Sequence, residues 1–221
     1  MNYEWNGKQY EVGYFFMDPI TYVVTVEIEP GQFEYVTAAL GNGRVLVCFL
    51  SLADAHIEGM LRAKPGLQYH VMEARSLPPR LFLNSEGGLF AMLHLAWGVA
   101  EGRMILCEDG APRRFGGPLT KPIGDHGPIT FNVNATALGT LDRIYEQAGL
   151  FAWRDTCEWM RTTWNLSRLQ TVARQAIRLA SAVAWPNGMG ETDAALFDVE
   201  FGQWHVVSRE VAEDMPMDDG A

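Results

Sequence analysis

Lys121, Asp125 and His126 lie together in LTKPIGDHGPIT, residues 119–130, among glycines and prolines. An ammonium, a carboxylate and an imidazole in one loop are the parts of an acid–base site. The cation would hold an anionic substrate, the imidazole would move a proton, and the carboxylate would orient the ring. Arg113 and Arg114, just upstream, could complete a clamp for phosphate or carboxylate. The chemistry such a set would serve is hydrolysis or group transfer on an anionic small molecule. The spacing does not require it. Asp125 and His126 are adjacent, and in extended chain adjacent side chains point to opposite sides. No GxSxG, HExxH or reactive-cysteine signature accompanies them. Gly124 and Gly127 suit a turn and Pro122 and Pro128 stiffen its approaches. The segment is expected to turn a corner, with catalysis by Lys121, Asp125 and His126 as the alternative.

Other chemistry is equally unprovided for. His56, His70, His94, His126 and His205 are scattered, with no pair at i, i+4, so neither a metal site nor a cofactor is expected. His94 sits in an apolar run and is expected to be a hydrogen-bonded core histidine. Gly41-Asn42-Gly43 precedes a strand and Gly188-Met189-Gly190 precedes an acidic GETD. A phosphate cradle places its glycines before a helix N-terminus, so both are expected to be turns.

Charge says more about partners than about catalysis. The 221 residues carry a formal net charge of -10, and EVAEDMPMDDGA at 210–221 holds five acids and no base. A body of that sign repels nucleic acid and anionic membrane and attracts a basic protein. Carboxylates gather on the early strands: Glu27 and Glu29 on one expected face, Glu34 after the turn, Glu4 and Glu11 in the adjoining hairpin. With Trp5 as an aromatic anchor, these are the expected partner-binding residues. Arg161, Arg168, Arg174 and Arg178 read as a solvated helix face. Cys48, Cys107 and Cys157 lie far apart in apolar surroundings, which suits reduced thiols in a cytoplasmic protein. MNYEWNGKQY has no secretory pattern, and LFAMLHLAWGVA at 89–100 is too short to span a bilayer.

The elements that must position these residues follow from period and punctuation. YEW and KQYEVGYFF flank Asn6-Gly7, a hairpin signal. TYVVTVEIE at 21–29 alternates as a strand with one buried and one mostly wet face. RVLVCFL at 44–50 reads as a central strand. Ser51 and Asp54 then open a helix, LADAHIEGMLRA, whose apolar face runs Ala53, Ile57, Met60 and Leu61. QYHVMEA, RLFLN, RMILCED and PITFNV are further expected strands. Residues 85–100 read as a helix apolar nearly all round, and 109–128 as loop. TALGTLDRIYEQAG, LFAWRDTCEWMRTTW and LSRLQTVARQAIRLASAVAW, within 136–185, read as two or three helices, the last with a stripe of Leu169, Val172, Ala173, Ala176, Ala180 and Val183. ALFDVEF and QWHVVSR form a closing hairpin about Gly202-Gln203. The expected fold is α+β, with a mixed or antiparallel sheet from the N-terminal strands plus the C-terminal hairpin and a helical region in the second half. One domain over 1–208 is expected, 136–185 being a possible helical subdomain and 209–221 an acidic flexible tail.

The unit RVLVCFLSLADAHIEGMLRAKPGLQYHVMEA, at 44–74, resembles elements of small bacterial immunity proteins of polymorphic or contact-dependent toxin systems. The resemblance implies a non-enzymatic inhibitor that occludes a cognate toxin, here a basic one. A phage-encoded anti-defence inhibitor would share this physics. On this reading charge reversal at Glu27 and Glu29 slows association and flattens its salt dependence, while His126→Ala leaves binding intact. Stopped-flow association with the partner at several ionic strengths checks both.

Overall fold

In the computed structural model, residues 89–100 form a strand and not the helix their composition suggests. A run that is apolar all round fits a buried helix or a strand covered on both faces. Here pairing partners on both edges decide the matter. The structure describes residues 2–5, 8–11, 19–40, 43–84, 88–107, 112–121, 135–180, 182–184 and 193–208.

In chain order, β1 (Asn2–Trp5) and β2 (Lys8–Glu11) pair as the expected hairpin. Then come β3 (Tyr22–Glu29), β4 (Gln32–Tyr35), β5 (Thr37–Leu40) and β6 (Gly43–Phe49). Helix α1 (Leu52–Arg62) leads to β7 (Tyr69–Glu73), β8 (Leu89–Ala100), β9 (Arg103–Leu106) and β10 (Arg114–Lys121). Helices α2 (Ala135–Gln147), α3 (Trp153–Thr163) and α4 (Leu166–Leu179) follow. The last strands are β11 (Ala182–Ala184), β12 (Asp193–Asp198) and β13 (Gln203–Ser208). The fold is α+β. Its main sheet has 11 strands and is mixed, β6–β8 and β9–β11 being parallel and the other pairs antiparallel.

Several elements depart from the local patterns. RLFLN is a 3₁₀ turn at Pro79–Phe82, because Pro78-Pro79 removes strand donors and favours a tight turn. RFGGPLTK, within the expected loop, is β10 and lies along β8 from Arg114 opposite Trp97 to Lys121 opposite Leu89. Its glycine serves that contact: a Cβ on Gly116 would stand 2.3 Å from the Leu93 carbonyl oxygen. Helix α4 stops at Leu179, and Ala182–Ala184 pair with β9, which takes Val183 out of the helical stripe. PITFNV, expected as a strand, lies outside the described residues.

The alternating strand residues sort into two cores. On one face Val23, Cys48, Leu93 and Leu196 pack with Leu141, Ile144 and Tyr145 of α2. On the other, Val24, Phe49, Trp97 and Phe197 pack with Ala55 and Ile57 of α1 and Ala173 and Ala176 of α4. Both sides of β3 are therefore covered, and Thr21, Val23 and Thr25 are buried where a wet face was expected. Each fully buried large side chain contributes about 1.5–3 kcal/mol.

Pairing with β10 skips one residue of β8: Phe115 opposes Ala96 and Gly116 opposes His94. The extra residue, Leu95, reverses the alternation, as a β-bulge does. Leu93 and Leu95 face α2, yet Trp97 and Val99 face α1. Trp97 thereby joins His94 on one face, their rings 4.4 Å apart. His94 is fully enclosed, but its Nε2 has no hydrogen-bond partner, unlike the bonded core histidine expected.

Ser51 caps α1 as expected, its hydroxyl accepting from the Asp54 amide. Ala53 and Ile57 are buried, but so are Asp54 and Glu58, one turn apart. Glu58 accepts from Arg114 Nε at 3.1 Å and pairs further with Arg114 and Arg62, fastening α1 to β10. Arg114 is thus committed to a structural pair. Removing one member of a buried pair strands the other. Glu58→Gln is expected to cost about 3–5 kcal/mol in urea unfolding, and Glu58→Met with Arg114→Met to recover most of it.

Candidate functional site

Two strands run head-on along one edge of β8. Strand β6 runs parallel to it, from Leu46 opposite Ala91 to Phe49 opposite His94. Strand β12 runs antiparallel, from Asp193 opposite Val99 to Ala195 opposite Trp97. Both share the edge that β10 leaves, since β10 pairs with His94 and Trp97 from the other side. They converge at the bulge, where they must diverge. The β6 chain turns through Ser51 into α1, and β12 bends after Asp198 toward β13. Such divergences open crevices at the ends of sheet strands. A cavity of about 250 Å³ occupies this one, walled by Ser51 and Asp54, by Tyr145, by Leu150–Trp153, by Thr156, Cys157 and Met160, and by Phe197–Phe201.

Asp54 is the ionisable group at its base. Trp97 Nε1 donates to Asp54 Oδ1 at 2.9 Å, a bond that the bulge makes possible. Burial pushes this carboxyl up to about 7, against the opposing pull of the Trp97 hydrogen bond. Burial, reinforced by Asp54, pushes the Cys157 thiol up to about 12. The same two causes hold the Tyr145 phenol well above its usual range. Neither sulfur nor phenol is an anionic nucleophile near neutrality. The arrangement is a recessed carboxyl among protonated and aromatic groups, equipped to hold a ligand.

The lips of the cavity are built to present aromatic rings. Asp198 Oδ1 accepts from the Glu200 and Phe201 amides at 2.9 and 3.1 Å, fixing the turn before β13. Its Oδ2 lies 3.3 Å from His205 Nε2. Phe201 stands 78% exposed on this turn, and Phe151 stands 77% exposed on the α2–α3 connection opposite. Thr156 donates to Glu200 at 2.7 Å, tying the two lips together. Trp153 stacks on Tyr145 at 4.6 Å and donates to Asp142, which also accepts from Arg154.

The residues singled out in the sequence lie elsewhere. Asp125 and His126 fall outside the described residues, and Lys121 ends β10 opposite Leu89. Glu4, Trp5 and Glu11 belong to the β1–β2 hairpin, where they oppose Gln9, Lys8 and Asn2. Glu27 and Glu29 do not share a face. A register shift leaves Glu27 opposite Phe33 and Glu29 opposite Gln32, neighbours that point to opposite sides. Glu27 is also a structural tie: it accepts from the Gly31 and Gln68 amides at 2.7 and 2.8 Å, bonds that hold its carboxyl below the usual range. Glu29 and Glu34 are exposed.

Among the arginines, Arg161 pairs with Glu158, and Arg168 lies over the Trp164 and Trp159 rings at 4.0 and 5.0 Å. Among the described residues no three His, Cys, Asp or Glu side chains converge as a metal site, and no helix is long and apolar enough to cross a membrane.

Sequence reasoning missed Asp54, Phe151 and Phe201. Asp54 carried a helix-start signal that masked its burial. The two phenylalanines, each beside turn residues, were the available hint. Comparison with protein-family models, curated proteins and solved structures finds no match to this chain.

Burial of Asp54 has a measurable linkage. Its carboxyl titrates near 3.8 when free and at about 7 in the fold, so between these values the folded state holds a proton that the unfolded state has lost. Its contribution therefore falls as pH rises through that window and is level above it. His56, lowered by burial to about 4, acts in the opposite direction, so the wild-type profile alone mixes the two. The difference isolates Asp54. Relative to wild type, Asp54→Asn is expected to gain stability from pH 4 to 7, by at most about 1.4 kcal/mol per pH unit, then plateau. Urea midpoints across this range check it.

Proposed function

We propose that this chain is a non-enzymatic binding protein that neutralises a basic protein partner by covering its working surface. The observation that carries this reading is the pair Phe151 and Phe201, 77% and 78% exposed, on opposite lips of an acid-floored cavity. Large aromatic side chains are costly to leave in water and are the usual anchors of interfaces. Asp198 and Glu200 beside them, with a chain charge of -10, favour a partner of opposite sign and speed its encounter.

The class that fits is a bacterial immunity protein acting on a basic toxin in the cytoplasm. The strand–helix–strand unit that resembles such proteins corresponds to β6, α1 and β7, and it supplies Ser51 and Asp54 to the cavity. The free thiols of Cys48, Cys107 and Cys157 agree with a reducing compartment. A phage-borne inhibitor of a host defence protein would use the same surface. The protonated Cys157 and Tyr145 favour binding over nucleophilic chemistry.

The test is affinity capture from the native host with wild type and with Phe151→Ser/Phe201→Ser, whose exposed positions leave the core untouched. Wild type is expected to retain one basic protein stoichiometrically, with an affinity that falls as salt rises. The double variant should lose it by about 10-fold or more. Equal recovery by both proteins would reject this surface.

A further inference from the structure

We infer that the cavity at the β6–β12 divergence is a receptor for one lysine side chain of the partner, whose ammonium is bound by Asp54. This rests on the proposed binding function and names what that function recognises.

The geometry points to a cation. Asp54 is 94% enclosed, being 6% exposed, and lines the cavity, yet the protein donates to only one of its carboxyl oxygens, through Trp97. The other oxygen is not a fully enclosed orphan but remains open beside the cavity, and a cation brought to it supplies charge and hydrogen bond together. The approach is acidic, through Asp198 and Glu200, and the walls are aromatic. Aromatic walls suit an aliphatic stem as well as the charge at its tip.

The same geometry chooses between the basic side chains. With Oδ1 engaged by Trp97, Asp54 offers a single open oxygen and not the paired oxygens that a guanidinium fork matches. A compact ammonium on a flexible stem fits such a one-point acceptor better. Lysine is therefore preferred to arginine.

The other groups around Asp54 sharpen the pH behaviour. From α2 and α3 come Tyr145 and Cys157, both held protonated, and from β8 comes His94, held neutral by burial. Asp198, Glu200 and His205 stand at the β12–β13 end, and Glu58 and Arg114 form their own pair beyond Trp97. Ammonium binding requires the ionised Asp54. Affinity should therefore rise from a unit below to a unit above its midpoint near 7 and then level off. A pH dependence arising elsewhere would persist in Asp54→Asn, and one arising at Asp54 would not.

The experiment follows the Trp97 indole N–H resonance during titration of the full chain with N-acetyl-lysine methylamide. The arginine and norleucine analogues are run beside it. Lysine is expected to bind saturably, arginine several-fold more weakly and norleucine about 10-fold or more weakly. Asp54→Asn keeps an oxygen for Trp97 and is expected to lose about 10-fold in lysine affinity along with the pH dependence. No saturable lysine binding, norleucine binding as well as lysine, or undiminished binding to Asp54→Asn would each overturn the assignment. The two proposals fail separately. A partner captured equally by wild type and Asp54→Asn ends the lysine receptor but leaves the binding function. Lysine binding that survives Phe151→Ser/Phe201→Ser, with partner capture unaffected by that change, supports the receptor and rejects the rim.

Discussion

Helix α1 lies on the sheet through two buried carboxylates, and most of the architecture depends on how they are accommodated. Asp54 meets the indole of Trp97 on β8, and Glu58 meets Arg114 on β10. These contacts sit beside the apolar packing of Ala55 and Ile57 against the strands. The apolar contacts supply the drive to pack, but they tolerate sliding, whereas a buried charge has few positions in which its bonds are met. The two acids thus set the helix's register on strands that are far from it in sequence. They are also chemically unlike: Glu58 is held by guanidinium groups, while Asp54 is left beside a cavity with one neutral donor.

That inequality links stability to function. Burial raises the titration of Asp54 toward neutrality against the pull of its Trp97 bond, whereas Glu58 has its charge met by guanidinium groups. On the lysine-receptor proposal, the open oxygen beside the cavity is what an entering ammonium would meet. The wall that α1 supplies, braced by the Asp54–Trp97 bond to β8, meets lips that come from the α2–α3 connection and the β12–β13 turn, so the presented surface rests on packed elements. On the proposed binding function, an interface prepared in this way would lose little conformational freedom when a partner arrives.

Where pattern is local, the sequence was legible. The Ser51 cap, the strand at β3, the apolar β6, the helical character of 136–179 and the closing hairpin all follow from capping, period and turn chemistry, although the second face of β3 is buried where its alternation suggested water. Strand β8 was not, because an unbroken apolar run has no period to separate helix from strand. Strand β10 was hidden by Gly116, Gly117 and Pro118, which resemble loop until the close approach to Leu93 is known. The acids of β3 were placed on one side because a register shift beyond Glu27 leaves no mark in composition. The site was least legible of all. Asp54 becomes a cavity floor only through a bulge on β8 and the arrival of β12, which lie about 40 and 140 residues further along the chain.

The skipped residue at Leu95 carries an evolutionary consequence. The halves of β8 are out of phase, and Trp97 belongs to the α1 side only because one surplus position precedes it. A lineage that lost a codon there would send the indole to the opposite layer, depriving the helix of an anchor and Asp54 of its donor in one event. Substitutions can tune this crevice gradually; single-residue deletions in that strand cannot, and should be rare among descendants that keep the crevice.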